Sequence, residues 1–576
     1  MSLLLLTAGW LVVTGLYARS ELLAARHDLE AMRSAMAGEQ ATAGGHRGER
    51  AEAAAESAAD HAAQAYGATT GPAWYLAARL PFVGAPLETV RGTTRAIDRL
   101  TGDVLPSVVG TVSRLSGHGG SGRLDLAALR GSAPALEQAA RHMARARAEA
   151  HGLPRRTWLP AVDRVRGVLV DRLDRLAPAV ADAATGARLL PPMLGNTAPR
   201  RYLLVFQNTA EARGTGGLPG AFAVVTADQG HMRFETFGNN TMLENVKPKV
   251  DLGAEFTGRY GAYDPTGTWA NTNLSPHFPY AARIWAATWR AYGGKPVDGV
   301  AAVDPSALAL LLRATGPGVL PDGTLLTSDN VLDLTERTGY ARYADTTRRK
   351  AFFLDVARSA ATRLTAALDD PQRLPALLAS VHEVVKQERL KLWSTRPDEQ
   401  SLVEARPLGG VLPSGEGPFA GLVVNNAAGG KLDYYLDRRL EWIPGRCTPE
   451  GRLVTAKISL GNRAPVTGLP SYVTLRADKP TYPTRPGDNR LMVSYYASAG
   501  AELTGATLDG APAMTGSSVE HGHPVYSVDL ELPAQRTRTL TLHMVEPASD
   551  RGPVLLRQQL VAPLRTVVRP LPACQS

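Results

Sequence analysis

The chain has 576 residues, enough for about three domains with cores of their own. Apolar residues make up 44% and charged residues 20%, which excludes a wholly disordered chain and a polytopic membrane protein. The net charge of +9 is spread along the chain, arginine supplies nearly all the basic charge, and aromatics are only 6%. A nucleic-acid binder would show a basic stripe with interleaved aromatics, so no nucleic-acid partner is expected, while attraction to an anionic surface stays compatible.

Leu3 to Ala18 (LLLLTAGWLVVTGLYA) is uncharged and nearly all apolar. It falls just short of the ~20 residues of a spanning helix. No basic residue precedes it and no clean A-x-A site follows. An uncleaved anchor is therefore expected rather than a cleaved signal or a buried helix. That expectation makes residues 1–18 a transmembrane helix, with bilayer contact through residues 3–18. It places the protein in the cell membrane as a single-pass protein, with the bulk of the chain extracytoplasmic. The apolar pattern continues at Leu22, Ala25, Leu29, Met32 and Met36, as in a helix. An Ala/Gly/Glu-rich stretch follows to about residue 70 and reads as a helical or loose tether. Further on, Val162, Val165, Leu169, Leu173, Leu176 and Val180 recur at helical spacing. Residues 19–195 thus read as an all-helical stalk with a low-complexity tether.

The character changes at Tyr202. YLLVFQ reads as a buried strand, and AFAVVTADQGHMRFETF as a hairpin turning at Asp228–Gly230. Helices fit residues 278–292, 305–314, 328–343 and 348–368, with a strand in VDGVAAVD between the first two. Residues 196–445 are expected to form one α/β domain. After Cys447 the pattern alternates, as in RLVTAKISL and TLTLHMV, which predicts an antiparallel β-sandwich over 446–576. The expected class is α+β multidomain. The two cysteines, Cys447 and Cys574, bracket that last region. In an oxidising compartment they would pair as a disulfide closing a long loop, the alternative being two unrelated thiols.

The run RYLLVFQNTAEARGTGGLPGAF at 201–222 is the most distinctive in the chain. It resembles the signature of the bacterial membrane-anchored family called domain of unknown function 4012, a strand followed by F-Q-N-x-A-E-x-R-x-T-G-G. Pieces similar to that family follow in order: NLSPHFPYAA, VDGVAAVDPSALALLLRATGPG, DTTRRKAFF, NNAAGGKLDYYL and GLPSYV. The order of elements also looks like that of the LytR-CpsA-Psr proteins, which transfer anionic glycopolymers from a polyprenyl pyrophosphate carrier to peptidoglycan. Arg213, after Glu211, sits where that family has an arginine. Asp345-Thr-Thr-Arg348 matches the first half of its D-x-x-R-x-x-R-Q motif, and Arg349 and Lys350 stand in for the second basic group. The family's Arg-Ser-Asp and Pro-Arg-Asp are replaced here by Thr215–Pro219 and by Gly238-Asn239-Asn240.

Arginine forks match the oxygens of a pyrophosphate, and a glycine pair lets backbone N–H groups approach them. Arg213, Gly216, Gly217, Arg348 and Arg349 are the candidate pyrophosphate ligands. The bland readings are an Arg213–Glu211 pair, a plain Gly216-Gly217 turn and an Arg348–Asp345 pair. Phosphotransfer would need a divalent metal such as Mg2+, or arginines in its place. Glu211, Asp298 and Asp304 are the candidate ligands, with loop roles at strand ends as the alternative for the two aspartates. The expected function is a membrane-anchored cell-envelope protein that binds a polyprenyl-pyrophosphate-linked glycan. Its partners would be a membrane lipid carrier or a cell-wall glycan. If it is an enzyme, it is a phosphotransferase-type glycopolymer transferase. The rival is a non-catalytic envelope scaffold or ligand-binding protein with the same fold.

Overall fold

The computed structural model describes residues 2–37, 47–117, 125–370 and 372–574; side chains are described except those of 2–8, 36–37, 47 and 112–117. The chain divides into two units, Met1–Pro199 with Asp228–Gly230, and Arg200–Ala227 with His231–Ser576.

The first unit is helical. Ser2–Ala37 and Arg47–Thr69 lie antiparallel along each other. Ala51, Ala55, Ala58, Ala62 and Ala65 are buried at three- and four-residue steps, and Ala18 and Ala25 are buried on the first helix. Methyl side chains let such helices approach closely. Polar contacts run along the same seam: Tyr17 donates to Gln64 (2.9 Å), Ser57 donates to Asp28 (2.8 Å), and His61 meets Glu21 at 2.6 Å. Trp74 Nε1 donates to Thr14 Oγ1 at 2.9 Å. Part of the stretch read as a tether is thus a packed helix; its residues 38–46 lie outside the described residues.

Among the described residues no helix is long and apolar enough to cross a membrane. This overturns the expected transmembrane helix over residues 1–18 and the single-pass placement built on it. The apolar run stops at Ala18, a length of about 24 Å against a bilayer core of about 30 Å. The same helix continues through Arg19, Glu21, Arg26 and Asp28 to Ala37.

The remaining helices of this unit surround a core that includes Ala96, Val104, Met143, Ala146, Leu169 and Leu173. Leu126–Gly152 and Pro160–Met193 run antiparallel, tied by Arg147 to Asp174 (2.5 Å) and Arg188 to Glu137 (3.4 Å). Of the predicted apolar face, Leu169 and Leu173 are buried. Val165 and Leu176 are 53% and 50% exposed, because the stripe wraps wider than the seam it packs on.

The second unit opens with a five-stranded mixed sheet, ordered 231–239, 216–228, 200–213, 299–303, 390–394. Arg200–Arg213 pairs antiparallel with Gly216–Asp228 and parallel with Gly299–Val303. Successive residues of the first strand feed opposite faces. Leu203 and Val205 pack with Phe222, Phe278 and Trp285, while Leu204 and Phe206 pack with Val303, Ala307 and Val384. Trp269, Trp285 and Trp289 are therefore core residues; Tyr292 is half exposed and stacks on Trp289.

Two further sheets face each other as a sandwich. One has six strands, with Leu436–Thr448, Gly451–Asn462 and Thr537–Glu546 adjacent; the other has five, centred on Asn489–Ala497. Their shared core includes Leu422, Trp442, Ile458, Val493, Leu530 and Leu542. The strand Phe419–Asn426 belongs to the second of these sheets, so the sandwich begins well before residue 446. Its buried run FAGLVVNN does not alternate, since both of its faces are covered. The architecture is mixed α/β with several sheets. Cys447 and Cys574 form a disulfide, with Cα atoms 5.3 Å apart and a sequence separation of 127.

Candidate functional site

The site grows out of a flaw in the first hairpin. Asn208 pairs with Leu218 and Ala212 with Gly217, so Thr209–Glu211 bulge out of the ladder. Side chains satisfy the freed N–H groups. Asn208 Oδ1 accepts from Ala210 N (3.0 Å), Glu336 from Thr209 N (2.9 Å) and Asp433 from Ala212 N (2.7 Å). Around the turn, Thr215 Oγ1 accepts from Gln207 and from Asn273 (2.8 Å), and Asn273 also donates to Gly217 O (2.9 Å). A Cβ on Gly217 would stand 2.2 Å from Asn208 O, and Gly216 has φ +137°. The polar residues and glycines of the motif thus build the bulged hairpin.

Arg213 is 4% exposed and makes four hydrogen bonds inside the protein. They go to Ala270 O (2.7 Å), Ala212 O (2.8 Å), Asn426 O (3.4 Å) and Glu211 (2.7 Å). It staples the first strand to the sandwich strand, and Gly216 and Gly217 serve the turn. Lys431 closes a buried triad on the other oxygen of Glu211. Burial pushes the Glu211 carboxyl up, but Lys431 and Arg213 outweigh it and hold it below the usual carboxylate range.

The bulge lies beside a cleft of about 270 Å³ in the second unit. Phe206, Asn208, Leu218 and Ala221 line it from the hairpin, and Asn239 and Asn240 from the next strand's end. Leu308, Tyr340, Phe353 and Val356 add wall from the helices, and Lys431 and Tyr472 come from the sandwich side. Tyr340 accepts a hydrogen bond from Asn208.

Arg349 and Lys350 enter the cleft from the start of the helix Thr346–Leu368, which Asp345 caps by accepting from Arg348 N (2.8 Å). Arg349 is 2% exposed. It donates to Tyr343 O (2.9 Å), Ala344 O (3.1 Å) and Thr346 Oγ1 (3.1 Å), and its guanidinium lies 3.7 Å from the Tyr472 ring centroid. Among the described residues no carboxylate pairs with Arg349 or Lys350; Lys350 donates to Thr241. Arg348 is exposed and does not line the cleft. Of the five predicted pyrophosphate ligands, only Arg349 lines the cleft.

The three carboxylates proposed for a metal do not converge. Glu211 lies in its triad. Asp298 accepts from Arg201 N (2.9 Å) and faces Arg200 (3.5 Å). Asp304 caps the helix Pro305–Thr315 through Ala307 N (2.7 Å) and pairs with Arg389 (2.5 Å). Burial raises the Asp304 carboxyl, and Arg389 opposes it. Among the described residues no group of three histidine, cysteine or acidic side chains could hold a metal ion. The donor set does not fit a shared divalent cation.

Reading the sequence for a site passed over Tyr340, Glu336, Lys431 and Tyr472. Lys431 and Tyr472 do fall in the family-like pieces NNAAGGKLDYYL and GLPSYV. Nothing in their local spacing ties them to the residues they meet.

The family described as Protein of unknown function (DUF4012) matches residues 197–340. That segment holds the hairpin, the bulge and Tyr340. No curated protein and no solved structure matches the chain. Similarity to the LytR-CpsA-Psr transferases is not shown by these comparisons.

Proposed function

We propose that this chain, with its DUF4012 segment, binds a polyprenyl-pyrophosphate-linked glycan in the cleft, as a binding protein. Arg349 carries the reading: a buried cation, stacked on Tyr472 and paired with no carboxylate among the described residues, lines a cleft whose walls mix apolar side chains with polar ones, Glu244 and Asp304 included. Such a guanidinium offers charge-assisted hydrogen bonds to phosphate oxygens. Lys350 adds a second cation beside it. Phe206, Leu218, Leu308, Phe353 and Val356 suit the first isoprene units, and Asn239 and Asn240 suit sugar hydroxyls. Transfer to an acceptor forms no part of this reading, because the carboxylates stand apart.

Calorimetry of the full chain tests it, with farnesyl pyrophosphate, farnesol and inorganic pyrophosphate as probes. Farnesyl pyrophosphate should bind most tightly, and both Arg349→Gln and Lys350→Gln should weaken it, the first by about 10- to 100-fold. No binding by folded protein, or binding indifferent to both substitutions, would overturn the reading.

A further inference from the structure

One carboxyl beside the cleft serves neither the triad nor the phosphate reading. Glu336 is 1% exposed and sits in the π-helical turn Leu334–Thr338, a distortion that recurs at functional sites. Its Oε1 accepts from both the N–H (2.9 Å) and the hydroxyl (3.0 Å) of Thr209. Its Oε2 is buried with no hydrogen-bond partner, and no cation pairs with Glu336 among the described residues.

The charged and titratable groups around it bring no compensation. Asp304 is committed to Arg389, and Glu211 to Arg213 and Lys431. Asp433 accepts from Ala212, Asn426 and Asn489. Arg349 donates to Tyr343, Ala344 and Thr346, and stacks on Tyr472. Tyr340, four residues on, is itself buried, which raises its hydroxyl well above the ordinary tyrosine value. An ionised carboxylate in this place would be buried and unpaired, so the neutral acid is the form that fits. Burial raises its pKa to about 8, with Asp304 adding to the rise and Thr209 pulling against it.

Two rungs join the strand bulge to this turn. Glu336 holds Thr209, and Tyr340 holds Asn208. Thr335, Tyr340 and Asn208 all line the cleft. We propose that Glu336 is a proton-operated latch on the cleft wall. Protonated, it keeps the Leu334–Arg342 segment against the bulge. Ionised, its buried charge is drawn to water against the hold of the two Thr209 donors; the segment then leaves the bulge, takes Tyr340 off Asn208 and opens the wall, so that the ligand is released. The release rests on the ligand reading above, whereas the latch itself is readable without ligand.

The experiment is hydrogen exchange of the full chain without ligand, from about pH 6.5 to about pH 9.5 and corrected for intrinsic exchange, on wild type and Glu336→Gln. Farnesyl pyrophosphate affinity is measured over the same range. Protection of residues 334–342 should fall about tenfold or more between about pH 6.5 and about pH 8 in wild type, level off above that, and hold in Glu336→Gln. Wild-type protection that ignores pH, or an equal loss in both proteins, would overturn the latch. Should Glu336→Gln fail to fold, Tyr340→Phe cuts the second rung instead. It should raise exchange at pH 7 while leaving the break in the pH profile near 8, and a profile without that break refutes the latch. A latch that opens in a protein that binds farnesyl pyrophosphate at no pH supports the latch and removes only the ligand reading. Binding that stays level while the wall opens refutes the coupling.

Discussion

Replacing Arg213 with Ala separates a staple from a ligand. The substitution removes four hydrogen bonds and leaves Glu211 with Lys431 alone. Three of the lost acceptors are backbone carbonyls, of Ala212, Ala270 and Asn426. Breaking a buried charge network of this kind costs about 3–5 kcal/mol, mostly from groups left unpaired. Unfolding entropy is about 2.1 cal/mol/K per residue, so a unit of roughly 370 residues has about 0.8 kcal/mol/K. A loss of about 4 kcal/mol then lowers Tm by about 5 °C. Differential scanning calorimetry reads that shift, and titration with farnesyl pyrophosphate below the transition reads the site. The expected result is a lowered Tm with affinity within about threefold of wild type. An unchanged Tm with affinity lost would refute the structural assignment and return Arg213 to the ligand.

Three other outcomes are expected. Gly217→Ala should destabilise the hairpin by about 2 kcal/mol or more in urea melts, because its Cβ would meet Asn208 O at 2.2 Å; a neutral effect would mean the bulge is not as tight as drawn. Reducing the Cys447–Cys574 bond should cost up to about 5 kcal/mol, the chain-entropy value for a loop of 127 residues, and equal denaturant midpoints with and without reductant would deny it. His277 is lowered to about 3 by burial, with His521 and Arg283 adding to it. Its unfolded form binds a proton that the folded form refuses, so stability is greatest above about pH 6.5 and falls as pH drops toward 3, by up to about 1.4 kcal/mol per unit. His277→Asn should flatten that slope; an unaltered slope would place the acid sensitivity elsewhere.

The local readings succeeded where the signal is a repeat within one segment. Alternation in TLTLHMV puts Leu540, Leu542 and Met544 on the inward face of the strand Thr537–Glu546, and YLLVFQ is the centre of a buried strand. They failed where burial depends on what packs alongside. The apolar run at Leu3–Ala18 resembles an anchor by composition, yet its helix is continuous with a charged one seated on Arg47–Thr69. Val165 and Leu176 have the spacing of a core face and are left in water.

The sequence by itself determined the strand and helix segments, because those depend on side chains near in the chain; the bulge in the first hairpin is held by Glu336 and Asp433, both far away in sequence. The sequence also supplied every arginine considered for phosphate, without ranking them. Tertiary structure decided between Arg213 and Arg349. The first is surrounded by Glu211 and three carbonyls, two of them from distant segments, and has its charge spent. The second meets carbonyls and aromatic rings and keeps its charge uncompensated. The cleft draws on residues from Phe206 to Tyr472, so only the folded chain brings its cations and aromatic rings to one place.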